Sequence, residues 1–365
     1  MASIRLESIC KRYGTIAAVT DLSLACPDGE LLALLGPSGC GKTSTLKMIA
    51  GIEDVSAGEI YFGDRPVTAL DAAERNVAMV FEDYALYPHL TVAENVAFPL
   101  EIRHRSRDEI RRAVDDVLAL LGLDGLRDVG VRQLSGGAQQ RVAIGRALIR
   151  EPTVILFDEP LSHLDGTHKA HLRAEIKRLQ KDSGVTGVLV THDQTEAMAM
   201  ADRVAVMNEG VLQQLAAPHE LYDHPANLFV AQFIGEPPMN LFRGRLVDID
   251  GVPTVEADGW RTALPWRLAA TARGDVVVGV RPEDVLLRAT DDAAAETAPT
   301  GRVFFREPRG DVDVVFVSRE SGGGRQVVIA EAPAGIGWKD GDHVAMSFGD
   351  TALHVFDAAS GRNLR

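Results

Sequence analysis

Eight residues constrain this chain more than any others. Gly36-Pro37-Ser38-Gly39-Cys40-Gly41-Lys42-Thr43 fits G-x-x-x-x-G-K-[ST], a loop that cradles phosphate when a strand precedes it and a helix follows. Both flanks are present. Glu30-Leu31-Leu32-Ala33-Leu34-Leu35 is a short apolar run of the kind that forms a buried parallel strand, and Thr43 to Ala50 reads as a helix. The three glycines allow the backbone to wrap an anion at distances a Cβ would block. Successive N–H groups and the helix N-terminus direct positive charge at it. In such loops the lysine, here Lys42, bridges the β- and γ-phosphates, and the hydroxyl, here Thr43, holds Mg²⁺. Gly36, Pro37, Ser38, Gly39, Cys40, Gly41, Lys42, Thr43 and Ser44 are the expected triphosphate contacts.

At 365 residues and 46% apolar content, the chain can build two or three real cores. Its formal charge of -14 argues against a general nucleic-acid binder. Cys10, Cys26 and Cys40 lack metal-ligand spacing, and their odd number points to reduced thiols. No apolar run approaches the ~18 residues that span a bilayer. The N-terminus enters strand-like alternation at once, unlike a signal peptide. The expectation is a soluble, cytosolic chain whose membrane role, if any, comes through a partner.

In chain order, residues 1–35 and 57–80 look strand-rich. Between about 88 and 150 the character turns helical. Ser106-Arg107-Asp108-Glu109 is a capping box followed by Ile110, Val114, Val117 and Leu121 at helical spacing, with Gly122 as a stop. A second helix is expected from about Gly136 to Arg150. Strands return at 153–157 and 187–190, around a helix with Leu172, Ile176 and Leu179 on one face, which implies a largely parallel sheet. After Pro237-Pro238 come short alternating stretches such as Asp311–Val317, with a polar connector at Asp291–Thr297. The expected architecture is an α/β P-loop NTPase over 1–236, with a RecA-like core and a helical subdomain at about 88–150. A small all-β, OB-like barrel then occupies 237–365.

Three further motifs carry chemistry. Val154-Ile155-Leu156-Phe157-Asp158-Glu159 is an apolar strand ending in two carboxylates. Asp158 is placed to hold Mg²⁺ through its water shell, and Glu159 to act as general base. Thr191-His192-Asp193 puts an imidazole at the end of the next strand. Leu134-Ser135-Gly136-Gly137 opens a helix that continues Gln139 to Arg146, a second anion site at a helix N-terminus.

These motifs, in this order, resemble the ATP-binding subunits of ABC transporters over essentially the whole chain. The resemblance implies ATP and Mg²⁺ as cofactors, with each ATP sandwiched between the phosphate loop of one protomer and Ser135-Gly136-Gly137 of the other. It implies that Tyr13 stacks on adenine and that Asp165, in Leu161-Ser162-His163-Leu164-Asp165, links the two sites. A narrower likeness is to carbohydrate-uptake ATPases of the maltose-transporter type. It is carried by Asp83–Val92, Asp193–Met198, Glu220–Ala226, Phe233-Ile234-Gly235 with Met239-Asn240, and Gly279–Glu283. It implies two transmembrane permease subunits docking at 83–92 and a solute-binding protein in the full system. It also implies a peripheral place on the cytoplasmic face of the inner membrane, no nucleic-acid partner, and a C-terminal domain for dimerisation and regulation. The solute would be a sugar, a polyol or a glycerol-related compound.

Three positions depart from the family pattern: Glu82 and Ala138, each where glutamine is usual, and His163 where asparagine is common. Glu82 bears on the metal, since a carboxylate is still a hard oxygen ligand but adds charge beside the γ-phosphate. At about 5 Å and an effective dielectric near 20 that repulsion is roughly 3 kcal/mol. Glu82 is therefore expected as a metal and catalytic residue with altered turnover. The alternative is a weakly hydrolysing regulatory subunit, paired in a heterodimer with a second ABC ATPase rather than in a homodimer.

Overall fold

The computed structural model describes residues 2–162, 166–257, 260–264, 274–290, 298–322, 324–349 and 352–365, the side chains of 166–168 excepted. His163, Asp165 and the connector at Asp291–Thr297 lie outside the described residues. The chain forms two compact units, Met1–Glu220 and Leu221–Arg365.

The first unit begins with β1 (Ile4–Tyr13), β2 (Ile16–Cys26) and β3 (Leu31–Leu35), then α1 (Lys42–Ala50), β4 (Ala57–Phe62), β5 (Arg65–Pro66) and β6 (Val77–Val80). Helices α2 (Val92–Ile102), α3 (Arg107–Leu120) and α4 (Gly136–Leu148) follow. The unit is completed by β7 (Val154–Asp158), α5 (Gly166–Ser183), β8 (Thr186–Thr191), α6 (Gln194–Met200), β9 (Arg203–Asn208) and β10 (Val211–Ala216). Six strands form one sheet in the order β10-β9-β3-β8-β7-β6, parallel except for the β9–β10 hairpin. β3 is central and wholly buried, which is why it reads as an unbroken apolar run. A four-stranded antiparallel sheet, β2-β1-β4-β5, shares a core with it. Ile4, Leu6 and Ile60 there pack with Leu32 and Leu34 of β3 and with Leu46, Met48 and Ile49 of α1.

All three helices α2–α4 fall in sequence between β6 and β7, which are parallel neighbours in the sheet. The capping box at Ser106 is formed as expected, and Thr91 with Glu94 makes a second one that opens α2. The three helices pack closely at Gly145. A Cβ there would stand 2.7 Å from Leu121 Cδ1 and 3.1 Å from Val117 Cγ1.

In the second unit, α7 (Pro218–Asp223) and α8 (Leu228–Phe233) lead into β11 (Asn240–Ile249), β12 (Val252–Ala257), β13 (Trp260–Ala263), β14 (Gly274–Val280) and β15 (Val285–Ala289). The strands β16 (Thr300–Pro308), β17 (Val312–Ser321), β18 (Gly324–Pro333), β19 (His343–Phe348) and β20 (Leu353–Asp357) complete it. Two five-stranded antiparallel sheets result, β13-β12-β11-β14-β20 and β15-β19-β16-β17-β18. Phe242, Val255 and Val278 from one meet Val303, Val317 and Val328 from the other in a single core. The unit reaches back past 237 because α8 belongs to it. The buried Arg281 donates to the carbonyls of Ala231 (3.3 Å), Ile234 and Tyr222 (2.8 Å), and Ala231 packs with Met239 and Phe356.

Candidate active site

The phosphate loop connects β3 to α1, as its flanks demand. Its glycines are required by space as well as by conformation. A Cβ on Gly36 would sit 2.2 Å from the Met207 carbonyl oxygen, and one on Gly41 2.5 Å from that of Ala18. Gly39 (φ +79°) and Gly41 (φ +99°) occupy the left-handed region. α1 starts on Gly41 without a side-chain cap, which leaves its first N–H groups for an anion. Lys42 is 5% exposed, and its Nζ donates to the carbonyls of Gly36 (2.7 Å) and Pro37 (2.9 Å). Its ammonium is thus held over the loop. Pro37, Ser38, Thr43 and Ser44 are exposed or half-exposed around it, while Cys40 is buried.

Glu82, Asp158, Glu159 and His192 are brought together. Asp158 ends β7, and its carboxyl is raised by burial first, then by Glu159 and Glu82, with Lys47 opposing. Glu159 follows at φ +46°, a left-handed backbone that a glutamate rarely adopts, pinned by its N–H to the Val190 carbonyl at 2.9 Å. Its Oε2 lies 2.9 Å from His192 Nδ1. With Glu159 ionised, that nitrogen carries the proton and donates, which fixes the imidazole beside the carboxylate. The Ser162 hydroxyl reaches Glu82 Oε1 at 2.9 Å and the Glu159 carbonyl at 3.1 Å. Through Ser162, Glu82 is therefore tied to the turn that carries Glu159.

This donor set fits MgATP. The loop offers a cradle that side chains would fill, and Thr43 and the carboxylates of Asp158 and Glu82 are hard oxygen donors. Among the described residues no three His, Cys, Asp or Glu side chains make a preassembled metal cage. A Mg²⁺ held largely by phosphates and water needs none, and a cation would offset both the burial and the neighbouring carboxylates that raise Asp158.

The other expected contacts lie apart from this cluster in the fold. Ser135 caps α4, accepting from the Ala138 N–H at 3.4 Å, and the start of that helix is exposed. α4 packs on α2, α3 and β6, whereas α1 packs on β2, β6, β7 and β8. Tyr13 ends β1 beside the Gly14 turn and is 44% exposed. The Lys11 ammonium stands 4.9 Å from its ring centroid and bonds Glu53 at 2.9 Å. In the 83–92 segment Tyr84 and Ala85 are left-handed (φ +62° and +45°), and Arg146 of α4 donates to both their carbonyls. That clamp has no signal in the sequence, because its partners are some sixty residues apart. Tyr87 packs on Phe98 with the ring centroids 4.4 Å apart and the planes tilted by 49°. A groove of about 490 Å³ lined by Ile52, Phe81, Tyr87, Phe98, Ile102, Arg103 and Arg150 runs there. No described helix is long and apolar enough to cross a membrane.

The ABC transporter family matches residues 19–162, the MalK OB fold domain 235–285 and the TOBE domain 278–356. The trehalose/maltose import ATP-binding protein MalK of Thermococcus litoralis is 44% identical over 99% of both chains. The chain belongs to the ABC transporter ATP-binding proteins. This ABC ATPase is also 45% identical to the sn-glycerol-3-phosphate import ATP-binding protein UgpC of Chromohalobacter salexigens, over 99% of this chain and 96% of that one. It is 43% identical to the xylose/arabinose import ATP-binding protein XacK of Haloferax volcanii, over 100% and 96%. Among solved structures, cbiO1 from Clostridium perfringens, part of the ABC transporter complex cbiONQ, matches with a TM-score of 0.56 at 30% identity. It covers 60% of the ABC ATPase and 89% of its own chain.

Proposed function

We propose that this chain hydrolyses ATP to drive an importer for a sugar, polyol or glycerol-related solute. The observation that carries the reading is the pairing of Glu159 with His192 at the ends of adjacent parallel strands, beside Asp158. Lys42 and the loop N–H groups bind the phosphates. Glu159 takes the proton of the attacking water, and His192 orients that carboxylate and faces the γ-phosphate. Thr43, Asp158 and Glu82 hold Mg²⁺, which when bound neutralises charge on the phosphates. Tyr13 stacks on adenine, and Ser135, Gly136 and Gly137 close the second protomer's site, with Asp165 linking the two.

Two permease subunits are assigned to the region of 83–92, whose groove, lined by apolar side chains and arginines, suits an amphipathic helix with a carboxylate. A solute-binding protein completes the system, and the chain works peripherally on the cytoplasmic face of the inner membrane. Residues 237–365 are assigned to dimerisation and regulation. The solute class is supported by the names of relatives for trehalose/maltose, xylose/arabinose and sn-glycerol-3-phosphate import.

Glu159→Gln tests the reading. It should bind ATP normally and lose hydrolysis by about 10²–10⁴-fold, and hydrolysis at the original rate would remove Glu159 from the base role. A second reading, a weakly hydrolysing chain paired with a different ABC ATPase, is favoured by the extra carboxylate of Glu82 against Ser162 and Asp158. Robust turnover by the purified chain alone would eliminate it.

A further inference from the structure

Lys169 stands in the first turn of α5, an end of the helix where the dipole disfavours a cation. Asp193, which caps α6, and Glu196 in the first turn of that helix hold it there. Its Nζ lies 3.1 Å from Glu196 Oε1 and 3.3 Å from Asp193 Oδ2. Burial pulls this ammonium's pKa down, yet the bonds to Glu196 and Asp193 outweigh burial and raise it. Glu196 is only 2% exposed, and its other oxygen accepts from the Thr191 hydroxyl at 2.8 Å. Thr191 Oγ1 in turn accepts the Asp193 N–H at 3.0 Å, while Asp193 Oδ1 accepts the Glu196 N–H at 3.2 Å and caps α6. These bonds bracket one residue, His192, between Thr191 and Asp193.

A buried carboxylate keeps such a geometry only while it is paired. Without the ammonium, Glu196 must take in water or turn outward, and either response releases Thr191 and the cap of α6. We propose that Lys169 is a positioning residue for hydrolysis: it reaches from α5, which begins directly after Asp165, and locks the turn that presents His192 to Glu159. The inference rests on the reading of His192 as part of the hydrolytic site. It gives a lysine far from the phosphate loop in sequence a defined effect on rate, with none on nucleotide affinity.

Single-turnover hydrolysis with the full chain in excess tests it, since residual rates in weak variants remain readable. Lys169→Met should lower the rate about tenfold with the Kd for ATP unchanged, and Lys169→Arg should recover most of it. In the His192→Ala chain, Lys169→Met should then cost nothing further. The pair Lys169→Met with Glu196→Gln removes the buried charge together with its partner, so residue 196 has no cause to turn outward and most of the rate should return. Equal losses with and without His192, a loss of ATP affinity matching the loss of rate, or a paired variant as slow as Lys169→Met alone would each overturn the proposal. An unimpaired His192→Ala would instead remove the site reading first, and this inference with it.

Discussion

Glu82 shows how one residue can sit between two jobs. Its carboxylate meets the Ser162 hydroxyl and contributes to raising Asp158, so in the proposed reading it adds negative charge beside the triphosphate. Glu82 is exposed, and solvent screening reduces the unscreened repulsion to about 1 kcal/mol. Glu82→Gln should therefore tighten ATP binding by about fivefold, read by equilibrium nucleotide binding at fixed Mg²⁺. Unchanged affinity and turnover would mean that the metal already neutralises this charge. The identity of Glu82 was legible in the sequence, as were Lys42, Asp158 and His192. The left-handed backbone of Glu159 was not, because no local pattern distinguishes a strand end that continues from one that turns back under tertiary hydrogen bonds.

At the scale of elements, the parallel sheet and the Ser106 capping box could be read directly from apolar runs and from S-x-x-E. The same signal existed at Thr91–Glu94, inside a stretch read for its docking role, and it opens α2. The short helices α7 and α8 escaped notice because they are held by long-range bonds to Arg281 rather than by their own periodicity. Packing of α2–α4 also depends on distant partners, and Gly145 is a point of close approach in it. Gly145→Val should destabilise the first unit by about 1–3 kcal/mol, since the added methyls enter space held by Leu121 and Val117. The melting temperature followed by far-ultraviolet circular dichroism checks this. Tryptophan emission should not follow it, because Trp260, Trp266 and Trp338 all lie in the second unit. An unshifted melt would show that the helices can separate at no cost.

For the molecule as a whole, the division of labour follows from where charge and apolar surface are placed. The first unit carries the phosphate loop, the carboxylates and the apolar groove, and the second is an all-β body with its own core. Ser135, exposed at the head of α4, makes sense as half of a site completed by another protomer. In the proposed reading the matching half is the loop at Gly36–Thr43, where α1 starts without a side-chain cap. Which chain supplies the second half is the central question. Light scattering on purified Glu159→Gln with and without MgATP answers it most directly. The account predicts that MgATP shifts the monomer–dimer balance toward the dimer, and that no such shift occurs when Ser135→Arg is added. A chain that stays monomeric with ATP bound, or a dimer indifferent to Ser135→Arg, would contradict it.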